Sequence, residues 1–254
     1  MDYLQPSEAR ELPGLRLALT SHMPAPYSMS ARAVFDLRSV PYTPVAQAGA
    51  GENADLKTWT GHRNAPVAVY NDEAPRAGWL DILNLAERLG EGPSLMPDDL
   101  QHRMFMIGLT NELIGENGLV WNMRLIMLGM GGPERAAAAA ESNPMYAAYG
   151  YSEQAREAAQ DKAQQILQRF TAHAGEQHER GSHYLIGDAL SALDVYWACF
   201  SLLFKTLPEQ ECPMPGGLRK SYDMGSEVVG GCDGFLIDQR DWIYANHLQL
   251  PMEF

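Results

Sequence analysis

Leu15-Arg16-Leu17-Ala18-Leu19-Thr20 runs straight into Ser21-His22-Met23-Pro24-Ala25-Pro26-Tyr27-Ser28, and the reading of this junction decides the fold. Apolar side chains at 15, 17 and 19 alternate with period two, the pattern of a β-strand. Pro24 and Pro26 interrupt it, and residues 28–39 then carry helical spacing. Tyr42-Thr43-Pro44-Val45 is a short second strand whose proline confines it to an edge or irregular position. Residues 46–64 are rich in Gly, Ala and Asn, with one short helix near 55–59. Residues 66–70 read as a third strand and 74–76 as a brief fourth. Trp79, Ile82, Leu83, Ala86 and Leu89 then share one face of a helix that Gly90 closes. Strands and helices in this order imply a small sheet with helices beside it.

The breaker cluster Gly90-Glu91-Gly92-Pro93-Ser94-Leu95-Met96-Pro97 is the linker, and everything beyond it reads as helix. The expected division is an α/β domain over 13–90, a linker over 91–97, and an all-α domain over 98–254 with a C-terminal extension. Residues 98–128 form a long apolar segment interrupted by Gly108, Gly115 and Gly118. Pro133 suits a first helical position, Ser152 caps a further helix, and 191–204 is the most apolar helix of the chain. His173, His178 and His183 lie five residues apart beside Gly175 and Gly181, which reads as a loop and lacks the spacing of a helical metal pair. No metal is expected. The chain's last residues read as loop-rich, with one helix near 238–247, and either cap a cleft or pack back on the first domain.

Of the 254 residues, 46% are hydrophobic and 20% charged, which excludes a mainly disordered chain. With 19 basic and 32 acidic residues the net charge is -13, which disfavours nucleic acid and anionic lipid as partners. No apolar run reaches the roughly 18 residues of a membrane span, and residues 1–12 are polar where a signal peptide is apolar. Three cysteines suggest no disulfide framework. The expectation is a soluble cytoplasmic protein.

Three local signatures carry a resemblance. Ala25-Pro26-Tyr27-Ser28-Met29-Ser30-Ala31-Arg32 joins the first strand to the first helix, and Val40-Pro41-Tyr42 follows it. Asn64-Ala65-Pro66-Val67 precedes the third strand. Tyr184-Leu185-Ile186-Gly187-Asp188 leads into Leu190-Ser191-Ala192-Leu193-Asp194, where Ser191 and Asp194 are spaced for a reciprocal capping box. Together they resemble the cytosolic glutathione transferase superfamily over roughly residues 13–204. The resemblance implies an α/β thioredoxin-like N-terminal domain followed by an all-α helical bundle domain, and a homodimer. It also implies a cis Pro66 that presents the Ala65 backbone to the cysteinyl part of glutathione. The dimer interface would involve residues 98–128 and 78–89.

Two positions depart from the family's pattern. Where many classes hold a sulfur-activating Ser or a redox Cys, this chain has Ala25, which neither donates a hydrogen bond nor forms a mixed disulfide. Where a Glu/Gln-Ser pair grips the γ-glutamyl carboxylate, it has Ala77-Gly78. By the resemblance, the remaining catalytic candidates are Ser28 and Tyr27. Each also has a plain structural reading, as a helix cap and as packing. The glutathione-binding candidates are Arg63, Asn64, Ala65, Pro66, Arg76, Ala77 and Gly78. Met104, Met106, Met123, Met127 and Met130, with Trp121, either wall an apolar substrate pocket or fill the core.

Two functions remain open. One is a glutathione transferase-like enzyme that takes glutathione as cosubstrate and conjugates or cleaves an apolar electrophile. The other is a non-catalytic relative that binds an apolar ligand or a protein partner.

Overall fold

The computed structural model describes residues 1–228, 232 and 234–254. In chain order the elements are α1 (Pro6–Ala9), β1 (Leu15–Thr20), α2 (Pro26–Leu37), β2 (Tyr42–Gln47), α3 (Ala54–Thr60), β3 (Val67–Tyr70) and α4 (Trp79–Leu89). They are followed by α5 (Leu100–Ile114), α6 (Leu119–Leu128), α7 (Pro133–Ala140), α8 (Met145–Ala148) and α9 (Glu153–Glu179). The last are α10 (Ala192–Phe200), extended by a 3-10 turn over Ser201–Leu203, then α11 (Gly216–Val228) and α12 (Gly234–His247).

The sheet order is β2-β1-β3, with β2 parallel and β3 antiparallel to β1. Single bridges extend it at both edges, Leu4 to Val45 and Ala68 to Arg76. The expected fourth strand is thus one paired residue, because the chain turns into α4 immediately afterwards. The alternation read in β1 separates two cores. Leu15, Leu17 and Leu19 pack with Val34, Phe35, Ile82 and Leu83 under α2 and α4, while Ala18 joins Val45, Leu56, Val67 and Val69 under α3. Burying each such side chain contributes roughly 1.5–3 kcal/mol. This is a thioredoxin-like domain, and the chain beyond residue 90 is helical.

The linker lies against the C-terminal end of α2. Arg38 donates to the carbonyls of Glu87 (3.2 Å) and Gly90 (2.8 Å). A Cβ on Gly90 would meet the Arg38 carbonyl at 2.5 Å, and one on Gly92 would strike that of Leu37, so both glycines are set by close backbone approach.

Helix α10 is buried along its whole length. The Asp194 carboxylate organises its start. Oδ1 accepts from the Leu185 N–H (2.7 Å) and the Gln239 carboxamide (3.1 Å). Oδ2 accepts from the Ser191 N–H (2.9 Å) and the Ser191 hydroxyl (2.8 Å). The serine hydroxyl therefore points at the carboxylate, not only at a backbone amide as a capping box implies.

Two further sequence readings change. Helix α9 continues through Glu179, so His173 and His178 are helical and not in a loop. His173 Nε2 lies 2.6 Å from the Leu185 carbonyl, and His183 stacks on Trp242. Helix α11 was not expected; Gly216, Gly217 and Gly225 weaken its local propensity, and its Tyr222 packs against the rest of the chain. The C-terminal residues resolve the alternative left open, since 247–254 run along α2 of the first domain. No helix among the described residues is long and apolar enough to cross a membrane.

Burial pushes the Asp194 carboxyl up to about 6, against the pull of the Leu185 and Ser191 donors. The native state therefore takes up a proton between pH 6 and 4 that the unfolded chain does not. This group's contribution to stability grows as pH falls through that window and is lost as pH rises through about 6. The difference in unfolding free energy between wild type and Asp194→Asn, followed by urea from pH 4 to 7, should be largest at the acid end. Asp194→Ala strands buried donors from three segments and should cost about 3–5 kcal/mol.

Candidate functional site

Helix α2 begins without a side-chain cap. Ala25 is its N-cap and Pro26 its first residue, which fits proline's preset φ and missing N–H. The first intrahelical bond is Met29 N–H to the Ala25 carbonyl (2.9 Å). The amides of Tyr27 and Ser28 make no hydrogen bond among the described residues. They are orphan donors at the positive end of the helix dipole.

The Ser28 hydroxyl faces back to the strand. It accepts from the Thr20 N–H (2.9 Å) and meets the Thr20 hydroxyl at 3.3 Å. Thr20 donates in turn to Gln47 (2.9 Å), whose carboxamide donates to the Ala48 carbonyl (2.8 Å). Ser28 thus ties the start of α2 to the ends of β1 and β2. The Tyr27 ring packs edge-on against Phe200, and its hydroxyl donates to the Ile114 carbonyl (2.9 Å). Burial raises its pKa, with the guanidinium of Arg124 opposing the rise. Tyr27 therefore ties the two domains together through its hydroxyl.

The antiparallel pairing of β1 with β3 ends at Ala18 and Val67, the residue that follows Pro66. The Ala65–Pro66 peptide is cis, and the Ala65 N–H and C=O make no hydrogen bond among the described residues. A single bridge pairs Ala68 with Arg76, two residues before Gly78. Gly78 is the N-cap of α4, again without a side-chain cap, and the amides of Trp79, Leu80 and Asp81 have no acceptor among the described residues.

Arg63 lies 4.0 Å from the exposed Glu52. Asn64 has no side-chain hydrogen bond among the described residues. Arg76 is committed elsewhere, with its guanidinium 2.6 Å from Glu73, which Arg88 shares. The two guanidinium groups hold the Glu73 carboxyl below its ordinary value.

Two residues escaped the sequence reading. Asp81 lies in the first turn of α4 with its carboxylate 2.9 Å from where a Gly78 Cβ would stand. Its sequence signal is an acidic first-turn residue, which any helix favours. Arg124, on α6, makes no ion pair among the described residues and faces both Tyr27 and Tyr222. The Tyr222 hydroxyl donates to the Pro24 carbonyl (2.9 Å), so α11 closes over the β1–α2 turn. The methionines divide: Met106 and Met123 are core, Met104 is exposed, and Trp121 packs on Tyr149 at 4.5 Å. No group of three or more His, Cys, Asp or Glu among the described residues is placed to hold a metal ion.

The sequence matches no family profile. It likewise matches no curated protein. Solved structures do match. A β-etherase from Sphingobium sp. strain SYK-6 superposes with a TM-score of 0.64 at 16% identity, covering 92% of this chain and 97% of its own. A glutathione S-transferase domain-containing protein from Marinobacter aquaeolei gives 0.61 at 15%, covering 92% and 100%. A glutathione transferase family member from Pseudomonas fluorescens, crystallised with two glutathione bound, gives 0.60 at 12%, covering 94% and 93%. The fold is that of the glutathione S-transferases.

Tyr27→Phe removes the Ile114 hydrogen bond and leaves the ring packing. It should lower stability by about 1 kcal/mol in chemical denaturation, with no change in the far-ultraviolet spectrum.

Proposed function

We propose that this protein, folded as a glutathione S-transferase, binds glutathione in the groove between α2, the cis turn and α4, and conjugates or cleaves an apolar electrophile. The observation that supports the reading is that the α2 amides of Tyr27 and Ser28 and the backbone of Ala65, beside a cis proline, are all without hydrogen bonds among the described residues. A thiol reacts as its thiolate. Orphan N–H donors at a helix N-terminus favour that charged form without a side chain at position 25. In this reading the Ala65 N–H and C=O pair with the cysteinyl backbone, beside Asn64 and Pro66. The amides of Tyr27 and Ser28 face the sulfur, and the Ser28 hydroxyl holds that turn in place. Arg63 takes the glycyl carboxylate. The amides after Ala77-Gly78 take the γ-glutamyl carboxylate, with Asp81 free for its ammonium. Arg76, already paired with Glu73, contributes charge from a distance. Arg124 adds positive field from the helical domain, where charge develops on a departing group. A reducing cytoplasm, which maintains such a thiol, suits this chemistry.

A homodimer completes the reading. Leu100 (64% exposed), Met104 (66%) and Phe105 (47%) stand together on α5. We assign this apolar face to a second copy of the chain, together with the exposed side of α4. Light scattering at micromolar concentration should give twice the chain mass, and Met104→Glu should shift it to the monomer.

A thermal melt with 10 mM reduced glutathione tests the cosubstrate. If that is about a hundred times the dissociation constant, binding adds about 2.7 kcal/mol and raises the midpoint by about 5–10 °C. No shift would favour the non-catalytic reading, for which Ala25 and Ala77-Gly78 speak. Ala25→Ser restores a hydroxyl at the α2 N-cap. It should raise turnover of an aromatic halide by tenfold or more, since one such donor is typically worth about 10²–10³ in rate. Unchanged turnover in a folded Ala25→Ser protein would place the sulfur elsewhere.

A further inference from the structure

Arg124 is a cation that the helical domain leaves uncommitted. It stands half-buried on α6 and makes no ion pair or hydrogen bond among the described residues. Arginines on the neighbouring helices differ: Arg156 on α9 is paired with Glu153, and Arg219 on α11 with Glu209. Carboxylates are not scarce in a chain with 32 acidic against 19 basic residues, yet none of the described ones reaches Arg124. A guanidinium keeps its charge, and half-burying that charge without a partner is costly.

Two phenols tie Arg124 to the β1–α2 turn. The Tyr222 hydroxyl donates to the Pro24 carbonyl (2.9 Å), one residue before the uncapped start of α2. The Tyr27 hydroxyl donates to the Ile114 carbonyl (2.9 Å). The Arg124 charge acts on both. Tyr27 thus belongs to two places: its amide is a free donor at the start of α2, and its hydroxyl lies in the field of Arg124. Neither phenol neutralises the guanidinium. Burial raises both above the ordinary phenol value, Tyr222 to about 12, so both stay protonated at neutral pH.

An apolar surface adjoins the free charge. Trp121 lies one turn before Arg124 on α6, and its ring meets that of Tyr149 at 4.5 Å. Both rings are half-buried, and Tyr149 is close enough to Tyr27 to act on its hydroxyl. A few placed polar groups on an apolar wall fix the orientation of a small molecule.

We propose that Arg124 makes the site assigned to the transfer reaction selective for an electrophile that carries a carboxylate, which the guanidinium binds while the rest of the molecule lies against Trp121 and Tyr149. This narrows the substrate of the transferase reading, on which it rests, to a compound that is apolar but for one acid group. Arginine and carboxylate form two parallel N–H···O bonds, and a site built around such a donor rejects the analogue that lacks the acceptor.

The unreactive probes are 4-methyl-3-nitrobenzoate and 4-methyl-3-nitrobenzamide, alike in size and different in charge. By calorimetry the wild-type protein should bind the acid at least tenfold more tightly than the amide. Arg124→Gln should erase that preference, and Arg124→Lys, which keeps the charge without the fork, should retain part of it. Since Arg124 has no partner among the described residues, both variants should melt close to the wild type. The reactive probes are 4-chloro-3-nitrobenzoate and its amide. With glutathione, the thiolate sulfur bonds to C4, chloride leaves with the bonding pair, and the thiol proton passes to solvent. Divided by each compound's uncatalysed rate, kcat/KM should favour the acid, and Arg124→Gln should slow the acid at least tenfold more than the amide. Equal binding of acid and amide by the wild type, or a loss in Arg124→Gln shared alike by both, would overturn the proposal. An Arg124-dependent preference for the acid, in a protein that gives neither turnover nor a thermal shift with glutathione, would uphold the anion site and overturn the transferase reading alone.

Discussion

The buried Asp194 carboxylate gathers donors from three places: the Leu185 backbone, the Ser191 cap and Gln239 on α12. Among the described residues no cation stands beside it, so these hydrogen bonds offset the cost of taking the charge out of water. That arrangement sets where α10 begins and how the segment before it turns. Because α10 is buried on every side, its placement sets that of its neighbours. Phe200 meets Tyr27, the Tyr196 hydroxyl reaches the Trp79 carbonyl (3.3 Å), and the Trp197 indole donates to the Leu236 carbonyl (3.0 Å). The first turns of α2 and α4 thus each rest on α10.

Within the first domain, register does the corresponding work. A strand pairing that slips by one residue turns every side chain to the other face. The pairing of Ala18 with Val67, and of Ala68 with Arg76, therefore fixes which faces of β1 and β3 are buried up to the cis turn and the start of α4. Neither helix N-terminus carries a side-chain cap here. Capping would consume the very amides that a bound anion needs, so the missing caps and the proposed ligand are consistent with each other. The same reasoning reassigns Tyr27 and Ser28. Their hydroxyls are taken by the Ile114 carbonyl and by Thr20, and what they leave open is backbone.

Much of the fold was legible locally. The alternation of Leu15, Leu17 and Leu19, the helical face of Trp79 to Leu89 and the Ser191–Asp194 spacing depend on near neighbours, where propensity and period act directly. The failures are equally physical. Helix α9 passes through Gly175 because its inner face is held by Phe170, Ala174 and Gln177. Helix α11 forms despite its glycines, with Tyr222 packed against the core and bonded to Pro24. Local propensity is a weak prior that such contacts override.

By itself the sequence determined most of the element types, the resemblance, and the absence of a hydroxyl or thiol at position 25. Those rest on residue identity and short-range spacing. Only the tertiary structure decided which polar groups remain unspent among the described residues: the amides of Tyr27 and Ser28, the Ala65 backbone and Arg124. Whether a donor is spent depends on partners far away in the chain, such as Ile114 for Tyr27 or Glu253 for Arg32, and no local pattern encodes that pairing.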